Sequence, residues 1–104
     1  MLQGIITRGT TASLVFPLHT KEQIKVYSIS YNQKGQNILL QRGENAADGA
    51  ITAELTPDET LLFNPNVKFV EVQIKGVDSN GKTKLLGHYK YRLDNIFDEL
   101  ELEV

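Results

Sequence analysis

Apolar and polar side chains alternate in three segments of the chain, residues 51–55, 70–76 and 85–93. Successive side chains of a β-strand face opposite ways, so a half-buried strand repeats with a period of two. Each segment is therefore predicted to be a strand with one face toward a core. The inner face of the last segment is predicted to carry Leu85, Gly87, Tyr89, Tyr91 and Leu93.

The same alternation predicts burial at individual positions. The side chains expected to be buried are Phe16, Leu55, Val72, Ile74 and Tyr89. The side chains expected to face solvent are Glu54, Lys75 and Lys90. An exchange of the two sets would mean that the predicted register is wrong by one residue.

Two turns are predicted to close β-hairpins. Asn80-Gly81 lies between two alternating strands, and this dipeptide favours a type I′ turn, in which both central residues have positive φ. Lys34-Gly35-Gln36 is predicted to lead into a strand over residues 37–42. In that strand Ile38 and Leu40 are expected to line the core.

Two further segments are predicted to be irregular strands. Residues 12–18 alternate, but Pro17 cannot donate to a ladder, so we place it at an edge or where the chain changes sheets. In residues 24–31, Ile24 and Val26 fall on one face while Tyr27 and Ile29 fall on the other. A bulge or burial on both faces would explain this conflict.

Helix is predicted at one short piece, where Thr56 offers a capping hydroxyl and Pro57 suits the first helical position. The turn is expected to run to about Leu62. Together the elements predict a single domain over residues 1–104, an all-β, immunoglobulin-like antiparallel sandwich of about seven strands with one short helical turn. A barrel such as an OB-fold is the alternative.

Composition excludes several classes of function. The formal net charge of −2 and a pI near 5.6 disfavour a nucleic-acid partner, which requires a basic surface. No apolar stretch approaches the roughly 20 residues that span a bilayer, so membrane insertion is not expected. Because the chain has no Cys, it has neither disulfides nor thiolate metal ligands, and a reducing compartment is permitted.

Charge is distributed unevenly along the chain. Residues 1–42 contain one acid, Glu22, and the bases Arg8, Lys21, Lys25, Lys34 and Arg42. Residues 94–104 contain no base and the acids Asp94, Asp98, Glu99, Glu101 and Glu103. One interpretation is a solvated tail beside ordinary surface lysines, and the other is head-to-tail docking of identical subunits.

Candidate chemistry is sparse. The two histidines, His19 and His88, have no matched nucleophile or orienting group near them in sequence, and no Gly-x-Ser-x-Gly or His-Glu-x-x-His motif occurs. We therefore expect no catalytic residue, no metal, no cofactor and no enzymatic activity. An enzyme with an unfamiliar site is the least favoured hypothesis.

Two other patterns have a structural and a functional interpretation. Asp78-Ser79-Asn80-Gly81 resembles the start of a calcium loop, but the closing Glu is missing, so a hairpin turn is favoured. The acids after Asp94 could gather a weak cation, but their alternation with Leu100, Leu102 and Val104 favours an edge strand or a docked tail. Packing is favoured over a stacking platform for bases or sugars at Tyr27, Tyr31, Tyr89 and Tyr91.

The opening Met-Leu-Gln-Gly-Ile-Ile-Thr-Arg-Gly-Thr-Thr resembles that of small proteins of tailed bacteriophages and prophages of Gram-positive bacteria. Residues 55–60 and 70–75, with the Asn-Gly turn that follows, are similar to later segments of that family. The resemblance implies a virion component, and no catalytic residue is associated with the family.

Two hypotheses for function follow. The first is a non-enzymatic phage structural protein of tail or baseplate type, assembled in the bacterial cytoplasm and located in the virion. Its partners would be copies of itself or other virion proteins. The alternative is an adhesion or carbohydrate-binding module, with contacts from loops at residues 43–49 and 64–66.

Overall fold

The computed structural model describes residues 2–18, 23–46 and 49–95, which form seven strands and one short helix. The strands are β1 (Gly4–Thr7), β2 (Ala12–Pro17), β3 (Ile24–Gln33), β4 (Gln36–Ala46), β5 (Ala50–Leu55), β6 (Phe69–Asp78) and β7 (Thr83–Asp94). The helix α1 (Pro57–Thr60) connects β5 to β6. The predicted all-β fold with about seven strands and one helical turn is confirmed.

Five strands form one sheet in the order β1-β7-β6-β3-β4, and β2 pairs with β5 in a second sheet. The large sheet thus joins the counterparts of strands C′, C, F and G of an immunoglobulin domain, and the small sheet joins the counterparts of B and E. All pairs are antiparallel except β1 with β7, which run parallel. The fold is an immunoglobulin-like sandwich, and the parallel pair corrects the expectation of a purely antiparallel one.

Aromatic rings join the two sheets. The ring of Phe16, on β2, stacks on Tyr89 with centroids 5.6 Å apart and meets Tyr91 edge-on at 6.1 Å. Such ring pairs contribute about 0.5–1.5 kcal/mol beyond their buried area.

The core lies between the two sheets. The largest fully buried apolar side chains are Tyr31, Phe16, Phe63, Ile6, Ile24, Ile29, Leu55, Ile74, Leu86, Val70 and Val72.

Most of the predicted burial pattern is confirmed. The predicted core positions Phe16, Leu55, Val72 and Ile74 are buried, and Tyr89 is half-buried against the core. The three predicted surface positions, Glu54, Lys75 and Lys90, are exposed. The period-two pattern therefore gives the correct register for these strands.

Bulges explain where the alternation fails. In β3 the register shifts between Ile24 and Val26, which confirms the predicted bulge and leaves Ile24 buried but Val26 exposed. In β7 an extra residue, Leu86, turns inward. Leu85 is consequently exposed, so its predicted inward orientation is wrong. A bulged residue shifts the inward and outward sets by one position.

A third bulge affects β4. Tyr31 pairs with Leu39 and Asn32 pairs with Asn37, so Ile38 is the extra residue. Ile38 and Leu39 are half-buried against the core, whereas Leu40 is exposed. The prediction that Ile38 contacts the core is confirmed, and the prediction for Leu40 is wrong.

The two hairpins differ in turn type. Lys34 and Gly35 both have positive φ, 50° and 78°, as a type I′ turn requires. In the second hairpin, which runs from Asp78 to Lys82, Gly81 alone has positive φ. The amide of Gly81 donates to the carbonyl of Asp78, and the amide of Asp78 donates to the carbonyl of Lys82. This pattern is a three-residue loop, so the hairpin is confirmed but its predicted type I′ turn is wrong.

Helix α1 is held at its start by its capping box. Thr56 Oγ1 accepts a hydrogen bond from the Glu59 amide at 3.2 Å, and Glu59 Oε1 accepts one from the Thr56 amide at 2.9 Å. The helix ends at Thr60, two residues before the predicted limit at Leu62. The cap residues confirm the predicted start.

Thr60 connects α1 to the turn between β1 and β2. Its hydroxyl donates toward the Thr10 and Pro57 carbonyls, each at 3.0 Å, and accepts a hydrogen bond from the Gly9 amide at 2.9 Å. Strand β1 was not predicted, because its four residues show no alternation. Pro17, at the end of β2 in the two-stranded sheet, occupies the predicted edge position.

Candidate interaction surface

His88 projects from the solvent side of β7. Its Nε2 lies 3.7 Å from Oε2 of Glu71, and both side chains are about half exposed. An exposed pair of this kind contributes little to stability. His19 lies outside the described residues. Among those that the structure describes, no three His, Asp or Glu side chains are grouped so that they could hold a metal ion.

Asp78 lies inside the hairpin turn and is almost fully buried. Its Oδ1 accepts hydrogen bonds from the amides of Lys82 and Asn80, at 3.0 and 2.9 Å, and its Oδ2 lies 3.2 Å from Nζ of Lys84. The Lys82 amide, aided by Lys84 and the Asn80 amide, lowers the pKa of Asp78 against the opposing effect of burial. The carboxylate thus stabilises a hairpin turn, which is the interpretation that the sequence favoured over a calcium loop.

The four tyrosines pack on the sandwich. Tyr31 and Tyr91 are buried, and Tyr27 and Tyr89 are half-buried against the core. Oη of Tyr31 donates a hydrogen bond to Oε1 of Gln41 at 2.8 Å. Burial is the main reason that the pKa of Tyr31 is far above its ordinary value and that of Tyr91 rises to about 12. The packing interpretation is confirmed.

The side of the five-stranded sheet that faces away from β2 and β5, here called the outer face, exposes apolar side chains. Val26 pairs there with Val77, and Ser30, four residues further along β3, pairs with Leu40. Val26, Leu40 and Leu85 are 45%, 44% and 58% exposed. Val26, Val77 and Leu85 lie on three adjacent strands, and contiguous apolar exposure is typical of a surface that binds another molecule.

A groove of about 630 Å³ crosses the outer face near the start of β7. Aliphatic side chains of Val26, Leu40 and Val77 line it. Two bases, Arg42 and Lys75, line it as well. The groove therefore combines an apolar surface with positive charge, and we refer to it as the outer-face groove.

The two bases flank one residue of β3. Ser28 pairs with Arg42 on one side and with Lys75 on the other, which places their Cα atoms about 10 Å apart, two strand spacings. Within the described part of the chain neither base forms an ion pair. The groove has one acidic lining residue, Glu44, so its basic side chains are in excess.

Local sequence patterns do not by themselves predict this groove. Each exposed apolar residue next to or within it adjoins a bulge: Val26 in β3, Leu40 in β4 and Leu85 in β7. Bulges re-aim side chains, and here they turn three apolar residues outward. The one signal in the sequence was the conflicting alternation of residues 24–31.

Comparison with known proteins finds no match: no family model fits the chain, and no curated protein or solved structure is significantly similar to it. In the described ranges, no helix has the length and apolar character needed to cross a bilayer.

Proposed function

We propose that this protein is a non-enzymatic structural subunit that assembles through protein-protein contacts on its outer face. The observation that carries the proposal is the exposure of Val26, Leu40 and Leu85 beside Arg42 and Lys75, two bases that form no ion pair with any described residue. Interfaces combine apolar anchors with a polar rim, and arginine is enriched in them.

The hydrogen bonds made by the buried polar side chains support a function that depends on surface contacts. The buried polar residues of the described chain are Gln33, Thr60 and Asp78. Gln33 exchanges two hydrogen bonds with the backbone of Asn64, at 2.8 and 3.2 Å. Thr60 and Asp78 likewise bind the backbone of turns. These groups hold loops, whereas Arg42 and Lys75 on the outer face form no ion pair within the described part of the chain.

The proposed setting is a tailed phage particle, of tail or baseplate type. It rests on the resemblance of residues 1–11 to phage and prophage proteins, and it implies assembly in the bacterial cytoplasm and residence in the virion. Arg8 and Thr10, which belong to that segment, make hydrogen bonds within the fold. We therefore infer that the segment specifies the fold, while the outer face supplies the contacts.

Sedimentation and light scattering over a concentration series test the proposal. We expect association above the monomer mass at high concentration, and Leu40→Ser should weaken it. Leu61→Ser is the matched control, because Leu61 is 45% exposed against 44% for Leu40 but lies at the end of α1, away from the outer face. A protein that stays monomeric at the highest attainable concentration would overturn the proposal.

A second candidate function is adhesion to a glycan. A smaller groove of about 380 Å³ is lined by Asn32, Asn66 and Phe69, and amide groups beside an aromatic ring suit a sugar. Nζ of Lys90, however, lies 4.2 Å from the centroid of the Phe69 ring and covers one of its faces. Binding on a glycan array that Asn66→Ala abolishes would support this function, and an array without signal would remove it.

A further inference from the structure

We propose that the outer-face groove binds residues 96–104 of a second copy of the chain. This inference deepens the proposed function, on which it rests, by naming the partner segment and the surface that receives it. The result is a head-to-tail contact between identical subunits.

The chemistry of the segment complements that of the groove. Residues 96–104 contain no base, and their acids are Asp98, Glu99, Glu101 and Glu103. Apolar Leu100, Leu102 and Val104 alternate with these acids. The groove offers the opposite arrangement, an aliphatic surface flanked by Arg42 and Lys75. Complementary charge of this kind favours encounter and fixes the register of a bound segment.

Chain length limits what the same copy can place in the groove. Lys75 pairs with Leu85 of β7, nine residues before Asp94 and so about 30 Å from it. Residues 95–104 span at most about 34 Å when fully extended, so only the last residues of the segment could come level with Lys75 in their own copy. A second copy is not limited in this way and can place the whole segment in the groove.

A contact of this kind has a consequence for assembly. Each copy offers one groove and one segment, so the two sides of the interface differ and the free groove of each pair can accept a further copy. Heterologous contacts of this type close into rings or extend as helical filaments. Both outcomes are compatible with a component of a phage tail.

Peptide binding tests the inference directly. The full chain, fluorescently labelled and kept dilute enough to be monomeric, is titrated with an excess of a peptide with the sequence of residues 95–104, and binding is measured by thermophoresis. We expect saturable binding that weakens as salt is raised. A control peptide, with Gln and Asn in place of the acids, should bind about tenfold more weakly or not at all.

Variants of the protein assign the site. Lys75→Glu should weaken peptide binding about tenfold, whereas Lys68→Glu should leave it unchanged, because Lys68 lines the smaller groove instead. A peptide with Lys in place of Glu101 and Glu103 should restore binding to the Lys75→Glu protein. Binding that is restored when the charges of both the protein and the peptide are reversed shows that the Lys75→Glu protein is folded.

The outcomes separate this inference from the proposed function. A protein that associates but does not bind the peptide overturns the inference and leaves the proposed function standing, with the outer face then meeting another surface. Peptide binding that Lys75→Glu and Lys68→Glu weaken equally also overturns it. Peptide binding by a protein that never associates would overturn both the inference and the proposed function, because the groove would then not receive the segment of a second copy.

Discussion

Nε of Arg8 donates a hydrogen bond to the carbonyl oxygen of Phe63 over 2.9 Å, across the gap between the turn after β1 and the end of α1. The same guanidinium reaches the carbonyl of Leu61 at 3.2 Å and Oδ1 of Asn95 at 3.1 Å. One side chain from the first turn thus holds the segment after the helix and the end of β7. Planar arginine, with several donors, is suited to this role.

Arg8→Ala is expected to lower the free energy of unfolding by about 1.5 kcal/mol, because charge-assisted hydrogen bonds are lost and the partly buried carbonyl of Phe63 loses its donor. Arg8→Lys should recover only part of the lost free energy of unfolding, because a single ammonium group cannot reach all three oxygen atoms to which Arg8 donates. Urea unfolding measures both. Arg42→Ala is the control, expected within about 0.5 kcal/mol of wild type, because Arg42 is exposed and makes no such contacts with the described residues. Equal losses in Arg8→Ala and Arg42→Ala would contradict the assignment.

Tyr31→Phe and Tyr89→Phe are expected to have opposite effects on stability. Oη of Tyr31 donates to Gln41, so its loss should cost about 1 kcal/mol. Oη of Tyr89 is buried and has no hydrogen-bond partner among the described residues, so its removal should raise stability by up to about 1 kcal/mol. Thermal and urea unfolding of the two variants form an internally matched test. Destabilisation of both by the same amount would show that Tyr89 has a partner in solution.

Asp78→Asn tests the charge in the hairpin turn. The pKa of Asp78 in the folded protein lies below its ordinary value of 3.8, so the carboxylate stabilises the fold above about pH 4. This contribution is lost as pH falls through the folded pKa. The Asn variant keeps an acceptor for the turn amides but no charge for Lys84. It should therefore be less stable than wild type near neutral pH.

The difference in the free energy of unfolding between wild type and Asp78→Asn should shrink as pH falls below about 4, because Asp78 of the wild type is then protonated and loses its charge. Urea unfolding at neutral and acid pH measures it. Glu54→Gln, an exposed strand position, is the control and should track wild type throughout. A stability difference between the two proteins that stays constant down to acid pH would contradict stabilisation by the Asp78 charge.

Alkaline pH should destabilise the protein through its buried tyrosines. The folded pKa of Tyr91, about 12, lies above the ordinary value near 10, and that of Tyr31 is also raised. The stabilisation is complete below about pH 10 and is lost as pH rises toward the folded values. The urea midpoint should therefore fall between about pH 10 and 12, and it should fall less steeply for Tyr91→Phe. An unchanged midpoint over this range would contradict the prediction.

The sequence by itself determined the strands and their inward sides wherever pairing is regular. Burial of Val72 and Ile74, exposure of Lys75 and the capped start of α1 at Thr56 all follow from local rules. Period-two alternation and helix capping depend on residues that are neighbours along the chain, so the sequence alone predicts the inward side of these strands and the start of α1.

Only the tertiary structure decided which apolar residues face solvent. Leu85 and Leu40 belong to the predicted inward sets, but bulges opposite Lys75 and Tyr31 turn them outward. A bulge depends on two strands that pair across the sheet, and a single strand does not encode its partner's register. The same pairing brings Arg42 and Lys75 to either side of Ser28 and so creates the outer-face groove. Local periodicity therefore predicted the fold, whereas the candidate site is formed by contacts between residues that are distant in sequence.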